Sequence, residues 1–504
     1  MFIRSLLLCS LILGAFNAFA SDVDMLRLQQ LLKASEQQEL AEIQRSSAST
    51  QENTAKVQKT ISLQHINRPK RVLIDVRSTH SDGKHDMDML IGLAKKRGID
   101  ALAFTEHDRY SIRFGIDPMP NILGYAMQHP SLYVTGLDYF FSDLNRQRAQ
   151  HPEIQLFAGT ESTPGYTWSG IPFKNLTLHN AERHLITLGI EKPEQVEGLS
   201  SYDLRHAYGD RTISLAFWCG LIFILIIIFM RRRKRGMALL LMASFIAFLT
   251  SWLMKPTIDP DMDFINTAHK QNLFVIWTHP GTLSGVRKGP MGIQLDTPPY
   301  SQRVFKDPTA DAFTAVYGDT DQNTVAGGLW DRYMMDYMRG YHKKPLWAVA
   351  AGDYHEEGMA NEYLGNFPMD VWSNTAKSHD ILTAMRQGHM AAWGMQKDKN
   401  IALKALYLED ANGLRLLPGD EEVVRPPLHV VAALSSAVPD TQTHATFTGE
   451  WVVDGHIVQT TRLKVNAEQV KRIPLYITKG AHVIRLQIKQ GLRMVANPFL
   501  VHIK

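Results

Sequence analysis

Arg71-Val72-Leu73-Ile74-Asp75-Val76-Arg77-Ser78-Thr79-His80-Ser81-Asp82-Gly83-Lys84-His85 begins as an apolar strand and ends in metal-ligand residue types. Residues 72–76 read as a short buried strand. Residues 86–97 read as an amphipathic helix, with Met87, Leu90, Ile91 and Leu93 on or near one face. Gly98 ends it, and 100–105 is the next strand. A strand–helix–strand unit predicts a parallel sheet covered by helices. Asp82 and Asp86 read as a turn residue and a helix N-terminal residue.

Further apolar runs predict buried strands at 155–158, 184–188, 273–278, 313–317 and 346–351, with loops and helices between them. Residues of one kind gather at the ends of these runs: Thr105-Glu106-His107, Gly159-Thr160-Glu161, Thr278-His279-Pro280 and Asp353-Tyr354-His355. Neutral imidazoles and carboxylates, delivered a few at a time by successive strands, are the donors a Zn, Mn or Fe site requires. In parallel α/β barrels such groups collect at the carboxyl ends of the strands. From 401 onward short alternating segments at 446–453, 456–465, 473–477 and 482–489 are punctuated by Gly, Pro, Asn and Asp. That texture predicts an antiparallel β-sandwich at 399–504, with a boundary near 398.

Of the 504 residues, 45% are apolar, which is ample for a large core, and the formal net charge is +4. Much of that excess is the run Arg231-Arg232-Arg233-Lys234-Arg235. No broad basic stripe suggests nucleic acid. The N-terminus reads as a signal peptide over 1–20: Arg4, an apolar core over 6–16, and the small-x-small site Ala18-Phe19-Ala20. The cysteines are Cys9 and Cys219, so the mature soluble portion is expected to hold no disulfide. Residues 21–66 are polar and read as a helical stalk. Residues 213–230 and 237–254 are uncharged apolar runs, each about 27 Å long as a helix, which is close to a bilayer's hydrocarbon thickness. With the basic turn between them, 213–254 is expected to be a two-helix transmembrane hairpin. It would anchor the chain in the lipid bilayer of the inner (plasma) membrane, with the rest facing the periplasm.

The motifs, taken in order, resemble the PHP (polymerase and histidinol phosphatase) family of metal-dependent phosphoesterases. They are H-S-D-G-x-H (His80 to His85), Ala103-Phe104-Thr105-Glu106-His107-Asp108, Ala158-Gly159-Thr160-Glu161, the strand from His184, Trp277-Thr278-His279-Pro280 and Gly352-Asp353-Tyr354-His355. The resemblance covers 71 to about 395. It implies a distorted (β/α)7 barrel over 67–398, interrupted by the hairpin, that binds two or three divalent metal ions (Zn, Mn or Fe). Its implied ligands are His80, His85, His107, Glu161, His184, His279, Asp353 and His355. The first histidine of the family's opening motif is here Ser78, a poor ligand, and Arg77 beside it stays protonated.

The implied function is a phosphoesterase at the periplasmic face that hydrolyses a phosphorylated small molecule or a membrane-associated phosphoester through a metal-bound hydroxide. Asp353 or His107 would shuttle a proton, and Arg109, Arg113, Lys174 and Arg287 would grip phosphate. Two alternatives stay open. One is a catalytically degenerate member serving as an envelope binding or scaffold module. The other is a metal-dependent C–N or C–O hydrolase.

Overall fold

The structure, a computed structural model, describes residues 68–115, 124–170, 174–201, 259–281, 285–289, 292–306, 309–317, 321–395, 400–438, 445–467, 470 and 472–504. The described residues form one compact unit. The expected signal peptide, the stalk at 21–66 and the hairpin at 213–254 lie outside the described residues.

Seven strands follow one another in the sheet in chain order: β1 (Lys70–Val76), β2 (Ala101–His107), β3 (Gln155–Ser162), β4 (Leu185–Ile190), β5 (Phe274–Trp277), β6 (Ala312–Val316) and β7 (Trp347–Ala350). All neighbouring pairs are parallel except those of β4, which runs antiparallel to both β3 and β5. An antiparallel neighbour needs no crossover helix. Accordingly, short strands rather than a helix join β3 to β4. Helix α1 (Met87–Lys96) joins β1 to β2 and buries Met87, Leu90, Ile91 and Ala94. Asp86 caps it by accepting from the backbone N–H of Met89 at 2.9 Å. Helix α2 (Leu137–Gln150) packs Phe140, Phe141 and Leu144 inward, and α3 (Leu329–Met338) buries Trp330 and Tyr333.

The sheet curls until its first strand meets the loop after its seventh. Val76 bridges Tyr354 in parallel. The Tyr354 N–H donates to the Asp75 carbonyl at 3.0 Å, and the Arg77 N–H donates to the Tyr354 carbonyl at 3.1 Å. The other half of β1 pairs antiparallel with β8 (Met369–Val371), which in turn pairs with β9 (Met390–Gly394). Besides β2, β1 therefore serves two partners, and a bulge between Leu73 and Val76 in its pairing with β2 separates its two halves.

Beyond β9 the same sheet runs into C-terminal strands. Ala391 to Gly394 pair with Arg493 to Ala496. The path continues through Gly480–Ile488, Thr446–Val453 and His456–Lys464. A second sheet holds Ile401–Glu409 and Leu428–Ser436. A buried ion pair ties the C-terminal strands to α3. Arg485 Nε and Nη2 donate to the two oxygens of Asp331 at 2.6 and 2.9 Å, with the guanidinium over the Trp330 ring.

The fold expectation is corrected on two points. The described structure is mostly sheet with few helices: β4 runs antiparallel and is reached from β3 through short strands instead of a helix, and the chain ends in a long series of antiparallel strands. Among the described residues no helix is long and apolar enough to cross a membrane. The two-helix transmembrane hairpin rested on hydropathy, run length and the basic turn between the runs, and the inner-membrane location with a periplasm-facing domain rested on the hairpin and the expected signal peptide. Both are withdrawn.

Candidate metal centre

The candidate residues reach one end of the curled sheet from seven positions. Asp75 and Arg77 lie at the end of β1 and Asp82 in the loop beyond. His107 closes β2, Glu161 lies near the end of β3, His279 follows β5, and Asp353 and His355 follow β7. His184 stands before β4. Because β4 is antiparallel, its start lies at the same end as the carboxyl ends of its neighbours, which is why a residue before a strand can join residues that follow strands.

Three groups bring ligand atoms within 4.8 Å of one another: Asp82, His107 and His355; Glu161, His184 and His279; and Asp75, Glu161 and Asp353. His355 Nε2 lies 3.2 Å and His107 Nε2 3.6 Å from Asp82 Oδ2. Glu161 Oε1 lies 3.0 Å from His184 Nδ1 and 3.7 Å from His279 Nε2. Rings run in a row through the first two groups: Tyr110, His107, His184, His279 and Tyr317, with successive centroids 4.6, 5.6, 5.5 and 5.3 Å apart.

Backbone strain concentrates here. Asp75, His279 and Asp353 are left-handed, at φ 66°, 34° and 49°. Non-glycine residues rarely adopt that region, and it is held only where the surrounding structure insists. At Asp75 the insistence is visible: its Oδ2 accepts the N–H of Asp353 at 2.6 Å, which straps the end of β1 to the loop after β7.

The electrostatics suit cation binding. Burial is the largest influence on His107, His184 and His279, and it holds all three below the usual imidazole value, His279 at about 4. Neutral imidazoles at neutral pH are the ligand form. His355 goes the other way: burial is the largest influence and opposes its charge, but its hydrogen bond to Asp82 and the negative charges of Asp353 and Asp82 together outweigh it and raise its pKa. Asp82 is held far below the usual carboxylate range, because His355, His107 and Arg77 together outweigh its burial. The two histidine-bearing groups combine two imidazoles with one carboxylate each, a donor set that fits a divalent cation.

The third group does not fit one. The Arg77 guanidinium, fully buried, lies among its carboxylates. Nη1 donates to Asp75 Oδ1 at 3.2 Å, Nη2 lies 3.0 Å from Asp353 Oδ1, and Nη2 contacts Glu161 Oε2. Burial works against the charge on Arg77, but Asp353, Asp75, Asp82 and Glu106 outweigh it and raise the pKa.

The residues expected from sequence divide. His107, Glu161, His184, His279, Asp353 and His355 converge. His80 and His85, expected as ligands, fall in none of the three groups and have other partners. The His80 ring pairs with Asp143 of α2 at 2.9 Å and packs on Tyr139 and Phe140. His85 Nε2 accepts the Glu357 N–H at 3.2 Å. Asp75, Arg77 and Asp82 belong to the centre and carried no such expectation. Glu106 is wholly buried and braces the opening turn, accepting from the Ser78 hydroxyl at 2.6 Å and the Ser81 hydroxyl at 2.5 Å. Ser78 is therefore a turn anchor.

Of the expected phosphate contacts, Arg109 lines a cavity of about 590 Å³ together with Tyr110, Ser111, Gln128, Ser131 and Tyr133. Its guanidinium lies over the Tyr133 ring and donates to that hydroxyl at 2.6 Å. Since the Tyr110 ring lies 4.6 Å from that of His107, the cavity adjoins the centre. Arg113 lies on a hairpin strand, Ser111–Gly115, Lys174 is exposed, and Arg287 forms an ion pair with Glu182.

No protein-family model matches the chain, and no curated protein does. Solved structures do. A two-domain protein containing a predicted PHP-like metal-dependent phosphoesterase from Bacteroides vulgatus is 12% identical, with 84% of this chain and 93% of that chain covered and a TM-score of 0.33. A proposed metal-dependent phosphoesterase from Bifidobacterium adolescentis is 14% identical over 62% of this chain and 96% of that one, at TM-score 0.30. An amidohydrolase from Chromobacterium violaceum with bound sulfate is 14% identical over 57% and 88%, at 0.26. Likenesses this distant say little about chemistry, which rests on the side chains of the site itself.

Proposed function

We propose that this chain is a metal-dependent hydrolase that acts on a phosphate ester. The observation that carries the reading is the convergence of Asp82, His107 and His355 with Glu161, His184 and His279 at one end of the sheet. These two groups would hold the cation or cations. Bound there, a divalent ion lowers the pKa of water and neutralises charge on a phosphoryl group.

The chain's own residues account for the rest. Burial keeps His107, His184 and His279 neutral, and the row of rings packs them side by side. Arg109, on the cavity wall, brings positive charge to a phosphate, and Ser111, Gln128 and Ser131 offer hydrogen bonds to the remainder. A cavity of about 590 Å³ is of a size for a small phosphorylated molecule rather than a polymer. Arg113, Lys174 and Arg287 are secondary candidates for the same grip.

The test is metal analysis of the purified chain, with hydrolysis of a generic aryl phosphate by wild type and His279→Ala. We expect bound transition metal and a loss of turnover of at least ~100-fold in the variant. Aryl ester and anilide substrates run beside the phosphate would reveal a C–O or C–N hydrolase instead. A second reading is favoured by Arg77, which fills ligand space with protein: a degenerate centre whose metals are structural and whose role is binding. Metal-loaded protein that turns over none of these esters above background, with or without His279, would support that reading.

A further inference from the structure

We infer that Arg77 is a built-in cation: its guanidinium permanently fills the position defined by Asp75, Glu161 and Asp353 and excludes a metal ion from it. The inference rests on the geometry of the centre and not on the phosphoester reading.

The three carboxylates converge closely enough to bind a metal, and two of them, on Asp75 and Glu161, are wholly buried. Carboxylates so buried must meet a positive charge or lose their own. Arg77 supplies that charge. Its Nη1 serves Asp75, its Nη2 lies against both Glu161 and Asp353, and its Nε is 3.9 Å from Asp82. A planar group with five fixed donors can face several carboxylates at once, and it does not deprotonate in proteins. A metal ion entering the triad would lie against this guanidinium, and like charges a few ångströms apart in a buried site repel strongly.

A second observation points the same way. Both oxygens of Asp75 are already engaged, Oδ1 by Arg77 and Oδ2 by the N–H of Asp353. The left-handed backbone of Asp75 and of Asp353 keeps that strap in place. Glu161 divides its oxygens. Oε2 faces Arg77, while Oε1 faces His184 and His279. One side of the glutamate is thus committed to the arginine, and the other stays open to a cation held by imidazoles. The centre then keeps its two histidine-bearing positions and has replaced the carboxylate-rich one with protein.

The experiment counts metal on the full chain. Wild type, Arg77→His and Arg77→Lys are loaded with Mn²⁺ or Zn²⁺, desalted and assayed by elemental analysis, with circular dichroism as the check on folding. We expect Arg77→His to hold about one more equivalent per chain than wild type. Arg77→Lys, which keeps the charge, should match wild type. Equal counts in folded wild type and Arg77→His would overturn the inference. Should the variants not fold, anomalous diffraction from metal-soaked wild-type crystals answers the same question. A peak bounded by Asp75, Glu161 and Asp353 would overturn the inference, and peaks confined to the histidine groups would support it. Phosphatase activity that survives His279→Ala would defeat the functional reading alone and leave the metal count unaffected.

Discussion

Two buried arginines show what the two ends of this molecule are for. Arg485 meets one carboxylate, Asp331, through two hydrogen bonds, and a third donor reaches Gln487. The pair is balanced in charge and geometry, and it joins α3 to the C-terminal strands. Arg77 meets Asp75, Glu161 and Asp353 with Asp82 nearby, so one cation faces several anions. Its contact with Glu161 lacks hydrogen-bond geometry, and Glu161 Oε2 has no hydrogen-bond partner. Buried charge that closes on itself holds the fold together. Buried charge left in excess calls for further cations, and here the unspent donors are Asp82, Glu161 and four imidazoles.

The difference can be broken experimentally. Arg485→Met should cost about 3–5 kcal/mol in denaturant unfolding, because Asp331 is left buried and unpaired, while metal content stays the same. The double variant Arg485→Met/Asp331→Leu should recover most of the loss. A single variant of near wild-type stability would mean that the pair is not the clamp described. At the other end, stability should depend on metal: saturation at about a hundred times Kd contributes about 2.7 kcal/mol, so a chelator should lower the melting temperature by several degrees. A melting curve indifferent to chelator would remove the distinction between the two ends.

Acid should act on the centre through its histidines. His107, His184 and His279 have folded pKa values below the usual 6.5, so the unfolded chain binds more protons as pH falls. The stability associated with their neutral forms is complete above about pH 6.5 and is lost as pH falls towards the folded value, about 4 for His279. Denaturant midpoints of metal-free protein should drop across that window, and His279→Gln should flatten the slope. An unchanged slope would show that His279 does not contribute. The smallest effect is a control away from both arginines. Asp86→Ala removes the α1 cap and should cost about 1 kcal/mol without changing metal content.

Much of the centre was legible in the chain itself. His107, Glu161, His279, Asp353 and His355 each end an apolar run, and strand ends at one edge of a sheet must meet. His184 precedes its strand, and only the antiparallel course of β4 explains how it joins them. In the opening motif, His80 and His85 fall outside the three groups, while Asp75, Arg77 and Asp82 lie in the centre beside a bulge in β1 and a left-handed Asp75. A one-residue slip in a strand sends every side chain to the other face, and no composition or spacing shows a bulge. A signal was nevertheless present. Asp75 interrupts an apolar run and Arg77 follows it, and charges inside a buried strand need partners. The runs at 213–254 lie outside the described residues, where apolar length and the basic turn are all that the sequence offers.

The pairing of Ala391 to Gly394 with Arg493 to Ala496 limits how this protein could ever be divided. A chain stopped near 398 would bare the flank of β9, a row of open amide and carbonyl groups of the kind that recruits other molecules into aggregates. The C-terminal strands act as a sheath over that flank, and expression of the half that holds the candidate centre by itself should yield inclusion bodies.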